Sequence, residues 1–185
     1  MRIIAGQFRG TALASVGKGD KGAHLRPTSD RVRESLFSML AHHDVIDGAR
    51  VLDLFAGTGA LGLEALSRGA LHVSFVDDGR VAQGLIRQNI AKLRAGDQTD
   101  LIRRDATRLP PRDAAAYDLI FLDPPYGKDL GGKALAAAAT GGWLSPEAFV
   151  VWEEARQMPA PDGFAPVDHR RYGDTHITLL SKISS

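Results

Sequence analysis

The fold of this chain is decided by the stretch 51-VLDLFAGTGALG-62, which predicts a short buried strand, a glycine turn and the start of a helix. The apolar residues come first, the glycines supply the turn, and the helix continues through residues 63–66. The glycines also satisfy G-x-G-x-x-G, so a nicotinamide or flavin dinucleotide is the first alternative for a ligand here. A glycine turn that only packs the strand against the helix is a second alternative.

Asp53 separates these alternatives because it precedes the first glycine by four positions. A carboxylate beneath the loop is poorly placed for a pyrophosphate but well placed for the ammonium group of an amino acid. This favours S-adenosylmethionine, whose methionyl end carries such a group. Asp77 ends the next predicted strand, about twenty residues beyond the glycines, where an acid accepts from ribose hydroxyls in either cofactor class.

From residue 50 onward the pattern alternates between strand and helix, which predicts a parallel α/β sheet. Predicted strands lie near 50–54, 72–76, 100–103, 117–122 and 148–152, and predicted helices near 60–68, 79–95 and 131–140. Residues 167–172 and 175–181 predict two further strands joined through Gly173-Asp174 as a hairpin. Before the sheet, residues 2–8 predict a strand, and Thr28 or Ser29 caps a helix that runs to about residue 41.

A second informative motif, Asp123-Pro124-Pro125-Tyr126, ends the apolar run Tyr117–Leu122. Proline fixes φ and has no N–H, so the turn is rigid and its carbonyl groups face outward unpaired. An acceptor side chain, free carbonyl groups and a flat ring together suit a planar ligand that carries an amino group. The amine donates to Asp123 and to the Pro124 carbonyl oxygen while its ring stacks on Tyr126. A strand end followed by a proline-rich turn is the alternative for this motif alone.

In this order, the two motifs resemble the amino-directed class of S-adenosylmethionine-dependent methyltransferases. Two N-terminal segments, 1-MRIIAGQFRG-10 and 25-LRPTSDRVRESLF-37, narrow the resemblance. With them, the chain up to about residue 180 is similar to the bacterial enzymes that methylate the exocyclic N2 of one guanine in small-subunit (16S) ribosomal RNA, the RsmD family. The resemblance implies a doubly wound, mostly parallel seven-stranded sheet with a C-terminal antiparallel hairpin. It also implies a single methyltransferase domain over 1–185, with 1–45 as an N-terminal RNA-binding extension and first helix and 46–185 as the catalytic core.

The resemblance further implies which residues bind the cofactor. Glycines of the loop allow the methionyl portion to approach closely, Asp77 binds the ribose, Asp105 accepts from the adenine amino group, and the Ala106 backbone N–H donates to the adenine ring. Asp105 has an alternative role as the cap of the following turn. The predicted cofactor-binding residues are Asp53, Phe55, Gly57, Thr58, Gly59, Asp77, Asp105 and Ala106.

The catalytic residues implied by the resemblance are Asp123, Pro124 and Tyr126. The lone pair of a guanine N2 is delocalised into its ring, so the amine is a poor nucleophile. Accepting its two hydrogens at Asp123 and at the Pro124 carbonyl favours a pyramidal nitrogen and stabilises the positive charge that develops. Tyr126 stacks against the base once the base has left its RNA context.

Basic residues cluster at the N-terminal end of the chain. Residues 1–33 hold seven Lys and Arg side chains against two Asp, although the net charge of the whole chain is only +1. Such clustering is typical of a phosphate-binding surface, with a solvated basic tail as the alternative. On the first helix, Val32, Leu36, Phe37 and Leu40 are expected to face the core, which leaves Arg31 and Arg33 free to reach a partner. The predicted RNA-binding residues are Arg9, Lys18, Lys21, Arg26, Arg31 and Arg33.

Length and composition set further bounds. A chain of 185 residues with 44% hydrophobic and 24% charged residues is typical of one globular domain. The absence of cysteine excludes disulfides, and six scattered histidines show no metal-ligand spacing, so no metal is predicted. No apolar run approaches the roughly 20 residues that span a bilayer, and the N-terminus lacks a signal-peptide pattern. We therefore expect a cytoplasmic protein without a membrane partner. The oligomeric state is open from the sequence, and we expect a monomer.

Three functions remain open from the sequence. The first is methylation of a guanine N2 in small-subunit ribosomal RNA, either naked or within a protein-bound particle. The second is a DNA adenine-N6 or cytosine-N4 methyltransferase, for which 185 residues leave little room for a target-recognition segment. The third is a ribosome-assembly factor that binds RNA without catalysis, although an intact cofactor loop and amine-binding turn argue against it.

Overall fold

The computed structural model describes residues 1–16 and 28–184. Among them, four α-helices and seven strands alternate along the chain much as the sequence predicted. The elements are α1 (Asp30–His42), β1 (Arg50–Leu54), α2 (Ala60–Ser67), β2 (His72–Val76), α3 (Arg80–Leu93), β3 (Thr99–Ile102), β4 (Tyr117–Leu122), α4 (Leu130–Thr140), β5 (Leu144–Glu154), β6 (Phe164–Tyr172) and β7 (Thr175–Lys182).

The strands form one sheet in the order β3-β2-β1-β4-β5-β7-β6. The first five strands of the chain pair in parallel, and β7 is antiparallel to both of its neighbours. This arrangement confirms the predicted doubly wound sheet with a C-terminal hairpin. The strand order reverses between β1 and β4, so the loops after these two strands leave in opposite directions and open a crevice at their carboxyl ends.

Both faces of the sheet are covered, which explains the continuous apolar run in β4. Leu119 and Phe121 point into a cluster with α1, α2 and α3, whereas Ile120 and Leu122 point into a second cluster with α4. Neighbouring residues of a strand face opposite sides, so a strand buried on both sides needs apolar residues at every position. The result is a three-layer arrangement that holds the strand ends rigidly.

The predicted strand over residues 2–8 is wrong. Only an isolated bridge between Arg2 and Ala12 is present, and Gly6 and Gly10, both with positive φ, turn the segment back on itself. Its backbone donors are used elsewhere. The Ile4 N–H donates to Glu64 Oε1 (2.8 Å) and the Phe8 N–H to Ser67 Oγ (2.9 Å), so the segment lies along α2 instead of joining a ladder.

Two strand boundaries also differ from the prediction. β5 begins at Leu144, earlier than the predicted residue 148, and β6 begins at Phe164, ahead of Pro166. Proline is tolerated in β6 because this strand lies at the edge of the sheet, and the register shifts between Pro166 and Asp168. The division of the chain at residue 45 stays a prediction. None of the helices in the described ranges is long and apolar enough to cross a membrane.

Candidate active site

A cavity of about 550 Å³ lies at the carboxyl ends of β1, β2 and β4, where the strand order reverses. The loops that follow these three strands supply most of its wall, and Met1 and Thr28 close it from the N-terminal side. The acids predicted to end these strands, Asp53, Asp77 and Asp123, all line it. Three segments that are distant in sequence thus place carboxylates around one space.

The loop after β1 lets a ligand approach the backbone closely, because its glycines carry no side chains. Gly57 and Gly59 adopt positive φ (62° and 82°), and Gly59 lies directly before the first residue of α2. The Gly62 N–H donates to Asp53 Oδ2 (3.0 Å), which holds the carboxylate under the start of α2. A Cβ atom on Gly62 would lie 2.6 Å from the Phe75 ring, so only glycine fits there. Sequence analysis left this role of Gly62 unassigned.

Asp53 is buried at 1% exposure. Burial raises the pKa of its carboxyl to about 8, the hydrogen bond from Gly62 opposes that rise, and the nearby charge of Asp77 adds to it. Among the described residues, none of the ion pairs includes Asp53 or Asp123. Asp53 is buried and Asp123 is half-buried, and carboxylates in such places without a basic partner suit a ligand that brings its own positive charge.

Asp77 faces the cavity and also ties two loops together. Its Oδ2 accepts from the Gly57 N–H (3.0 Å) and its Oδ1 accepts from the Gly79 N–H (2.9 Å). Burial raises the pKa of this carboxyl, and the two backbone hydrogen bonds oppose the rise. Asp77 therefore fixes the glycine loop in place in addition to presenting acceptors to the cavity. The predicted contact with a ribose stays a prediction.

The turn after β4 also lines the cavity, with Asp123, Pro124 and Tyr126 among its wall residues. Burial raises the pKa of the Asp123 carboxyl well above its usual value, and the charges of Glu153, Asp53 and Glu154 raise it further. The Tyr126 hydroxyl donates to Glu153 Oε1 (3.0 Å) and lies 3.3 Å from Thr175 Oγ1. The phenol is thus held at its far end by β5 and by the tip of the β6–β7 hairpin.

Three predicted cofactor residues do not line this cavity. Asp105 Oδ1 accepts from the Thr107 N–H (2.8 Å) and hydroxyl (2.7 Å), so the carboxylate caps the turn Ala106–Arg108, the alternative that the sequence also offered. These hydrogen bonds lower the pKa of Asp105. Ala106 is buried against the core. Gly59 does not line the cavity, but its left-handed backbone conformation forms the turn that leads into α2. Phe55 and Thr58 do line the cavity. Contacts of Asp105 and Ala106 with adenine stay predictions.

The prediction that Arg33 is free to reach RNA is wrong. Arg33 is fully buried, its Nη2 contacts Asp30 Oδ1 (2.9 Å) and the Arg2 carbonyl oxygen, and its Nε lies 3.9 Å from Glu64 Oε1. Val32, which was expected to face the core, is only half-buried. Arg33 takes the core position because Leu36, Phe37 and Leu40 follow it at helical spacing.

The remaining basic residues fall into two groups. Arg31 is exposed on the first turn of α1, near Thr28 at the cavity wall. Arg9 is exposed too, but it lies at the other end of α2 from the glycine loop. The preceding residue, Phe8, is hydrogen-bonded to Ser67, the last residue of α2, about 12 Å along the helix from that loop. Lys18, Lys21 and Arg26 lie outside the described residues.

Two acidic residues of this region were missed by the sequence analysis. Glu153 and Glu154 end β5 and are buried. The Gly127 N–H donates to Glu154 Oε1 (3.3 Å), and Glu153 binds Tyr126, so both support the Asp-Pro-Pro-Tyr turn. The same signal that marked Asp53 and Asp123, an acid that closes an apolar strand, was present in 150-VVWEE-154. Among the described residues, no group of three or more His, Asp or Glu side chains is arranged to hold a metal ion.

Known proteins with the same features were found both by sequence and by structure. The chain is 40% identical over 162 residues to Ribosomal RNA small subunit methyltransferase D of Escherichia coli (strain K12), which covers 87% of this chain and 78% of that protein. The solved structure of yhhF from Escherichia coli, 33% identical, superimposes with a TM-score of 0.84 over 100% of this chain and 99% of that one. A third structure, magnesium protoporphyrin IX methyltransferase (ChlM) from Synechocystis PCC 6803, was solved with bound SAM and shares the fold. It is 17% identical, and the superposition covers 82% of this chain and 78% of ChlM with a TM-score of 0.63.

Sheet order, site and relatives together define an S-adenosylmethionine-dependent methyltransferase, as the sequence predicted. The chain belongs to the family described as Conserved hypothetical protein 95, whose model matches residues 1–181. The identity to Ribosomal RNA small subunit methyltransferase D confirms the resemblance to the RsmD family.

We expect the raised pKa of Asp53 to make cofactor affinity depend on pH. With its pKa raised to about 8, the carboxyl is expected to carry a proton at lower pH in the free protein, and a cofactor ammonium bound at Asp53, as the sequence predicts, would displace it. Affinity for S-adenosylhomocysteine is therefore expected to rise from about pH 6 to about pH 8, by at most about tenfold per pH unit because one proton is released. Calorimetry at several pH values measures this. Asp53→Asn should bind weakly and with a shallower slope, whereas Asp97→Asn, an exposed control, should keep the wild-type slope. A flat profile in the wild type would contradict the prediction.

Proposed function

We propose that this protein transfers the methyl group of S-adenosylmethionine to the exocyclic N2 of a guanine in small-subunit ribosomal RNA. The observation that carries the proposal is the shared cavity, whose lining includes both Asp53 with the glycine loop and the Asp-Pro-Pro-Tyr turn. A relative at 40% identity is named for ribosomal RNA of the small subunit, which supports this class of substrate. An assembled or partly assembled ribosomal subunit in the cytoplasm is the proposed partner, and the protein is proposed to act as a monomer.

The residues present fit such a cofactor. S-adenosylmethionine carries an ammonium group and supplies a methyl group already activated by its sulfonium. Asp53 is a buried acceptor beneath the loop, where it would hold the ammonium, and Asp77 would accept from the ribose hydroxyls. Positive charge in the cavity favours the ionised forms of Asp53 and Asp123, whose pKa values burial has raised.

Asp123 and Pro124 would act on the target amine. The Asp123 carboxylate would accept one N2 hydrogen and the Pro124 carbonyl oxygen would accept the other, which would leave the nitrogen lone pair free to attack the activated methyl group that the cofactor supplies. Asp123 also receives the proton that the methylated nitrogen loses. Tyr126 presents its ring to the base from the same turn, and the two prolines keep that turn from moving.

Methyl transfer to isolated ribosomal subunits tests the proposal. Small subunits are purified from a strain that lacks the gene, incubated with the protein and labelled cofactor, and digested to nucleosides. N2-methylguanosine is the expected product. Label in N6-methyldeoxyadenosine or N4-methyldeoxycytidine when DNA is offered in place of subunits would support a DNA methyltransferase instead. Tight binding to subunits without any label transfer would indicate an assembly factor.

Arg31 is the proposed phosphate contact that the structure makes easiest to test, because its side chain is exposed on the first turn of α1. Arg31→Ala is expected to weaken binding to the RNA substrate and to lower the log–log slope of affinity against salt by about 0.7, the value for one contact with single-stranded RNA. Cofactor affinity and the methylated nucleoside should not change. Arg87→Ala, an exposed control on α3, should leave affinity and slope as in the wild type. An Arg31→Ala protein with wild-type slope and affinity would remove Arg31 from the RNA-binding surface.

A further inference from the structure

Glu153, the penultimate residue of β5, joins three parts of the chain that meet at the cavity. Its Oε1 accepts from the Tyr126 hydroxyl (3.0 Å) and its Oε2 accepts from the Thr28 hydroxyl (3.1 Å). The side chain is buried at 8% exposure, and both of its oxygens have a hydroxyl partner. Thr28 and Tyr126 line the cavity, whereas Glu153 lies behind them.

We propose that Glu153 is a positioning residue that sets the plane of the Tyr126 ring against the target base and connects the ring to the start of α1. The inference rests on the proposed function, because it concerns the aromatic surface on which the base would stack. Glu153 itself lies behind the wall of the cavity, so its effect on the reaction passes through Tyr126 and Asp123.

The geometry explains why the ring needs such a partner. Tyr126 follows two prolines, which fix the backbone end of the side chain but leave its torsions to be decided by contacts. A hydrogen bond from the phenol to a buried carboxylate is of the charge-assisted kind and stronger than one between neutral groups. Thr175 lies 3.3 Å from the same hydroxyl and bounds it on the hairpin side. The ring is therefore held at both ends.

The bond to Thr28 extends this contact to the N-terminal side of the site. Thr28 immediately precedes Ser29, whose side chain caps α1, and α1 carries the exposed Arg31 in its first turn. A carboxylate shared between Thr28 and Tyr126 thus links the proposed phosphate-binding helix end to the proposed base-stacking ring. Displacement of either hydroxyl would change the environment of the other.

Glu153 also affects the charge of the site. Burial raises the pKa of the Asp123 carboxyl, and the charges of Glu153, Asp53 and Glu154 raise it further, while burial raises the pKa of Glu153 as well. Neutralising Glu153 should therefore lower the pKa of Asp123. Because Asp123 must be ionised to accept the amine hydrogens, the acid limb of kcat/KM should move to lower pH.

A double-mutant cycle between Glu153→Ala and Tyr126→Phe tests the contact, with kcat/KM for the ribosomal substrate as the readout. If the two groups act through one hydrogen bond, each single variant loses about tenfold and the double variant loses little more than the worse single variant. The Kd for S-adenosylhomocysteine should stay near the wild-type value in all three. Losses that multiply to about a hundredfold would overturn the proposal.

Glu153→Gln provides the second measurement. It keeps the shape of the buried side chain, so it can still be measured if Glu153→Ala does not fold. Its acid limb of kcat/KM is expected to lie at lower pH than that of the wild type, and an unshifted limb would overturn the proposal. Glu147→Gln is the matched control, since Glu147 is exposed on the same strand, six residues before Glu153. A wild-type protein that labels another nucleoside would refute the proposed function, while the cycle on that nucleoside would still decide the role of Glu153.

Discussion

Asp123→Ala is expected to abolish methyl transfer while it leaves cofactor affinity nearly unchanged. The carboxylate faces the cavity at the end of β4, in the Asp-Pro-Pro-Tyr turn, where it is proposed to act on the amine and not on the cofactor. Its loss should therefore appear in the chemical step. Single-turnover rates with ribosomal subunits, together with calorimetry for S-adenosylhomocysteine, measure the two quantities.

The controls for this variant come from the same strand. Asp123→Asn keeps the shape of the side chain, retains one acceptor oxygen and removes the negative charge, so it should also be severely impaired. Asp118→Ala removes an exposed carboxylate at the other end of β4 and should transfer methyl groups at close to the wild-type rate. If Asp123→Ala kept more than about a tenth of the wild-type rate, it would have lost less than about 1.4 kcal/mol of transition-state stabilisation, and the role given to Asp123 would be wrong.

Arg33→Ala is expected to lower the free energy of unfolding by about 3 kcal/mol or more, the usual cost of removing one partner from a buried ion pair. The substitution leaves Glu64, which is fully buried, with only Arg68 at 3.8 Å as a cationic partner. It also removes the donor to the Arg2 carbonyl oxygen, which helps to hold the N-terminal segment along α2. Urea denaturation followed by circular dichroism measures the loss.

Arg31→Ala is the matched control for stability, since Arg31 is exposed on the same helix and should change the free energy of unfolding by less than about 0.5 kcal/mol. The pair of variants thus separates two roles that the sequence had combined: Arg31 in RNA binding and Arg33 in the fold. A loss of less than about 1 kcal/mol for Arg33→Ala would mean that Glu64 is accommodated by Arg68 alone.

The sequence by itself determined the sheet and the wall of the cavity because both depend on short-range patterns. An apolar run buried on both faces, a glycine turn and an alternating strand–helix rhythm are local properties, so β1, β2 and β4 could be placed to within a residue. In a parallel sheet the acids that close such strands meet at one edge, which is why Asp53, Asp77 and Asp123 could be brought together without a structure.

Tertiary structure alone decided which of several local options each polar side chain took. The sequence allowed Asp105 either to contact adenine or to cap the following turn, and in the structure it caps the turn by accepting hydrogen bonds from Thr107. Glu153 became part of the site because β5 lies beside β4, a neighbour relation that the chain order leaves open. Partners far apart in sequence come into contact only through the topology of the sheet, so no local pattern specifies them.

Arg33 shows the difference most directly. Its spacing to Leu36, Phe37 and Leu40 placed it on the buried stripe of α1. A charged residue is expected at such a position only if a residue of opposite charge lies in the core to pair with it. That partner is Glu64, thirty-one residues away on α2, which packs against the same face of the sheet. Helical periodicity determined the direction of the Arg33 side chain, and only the packing of α1 against α2 decided that burial of its charge would be stable.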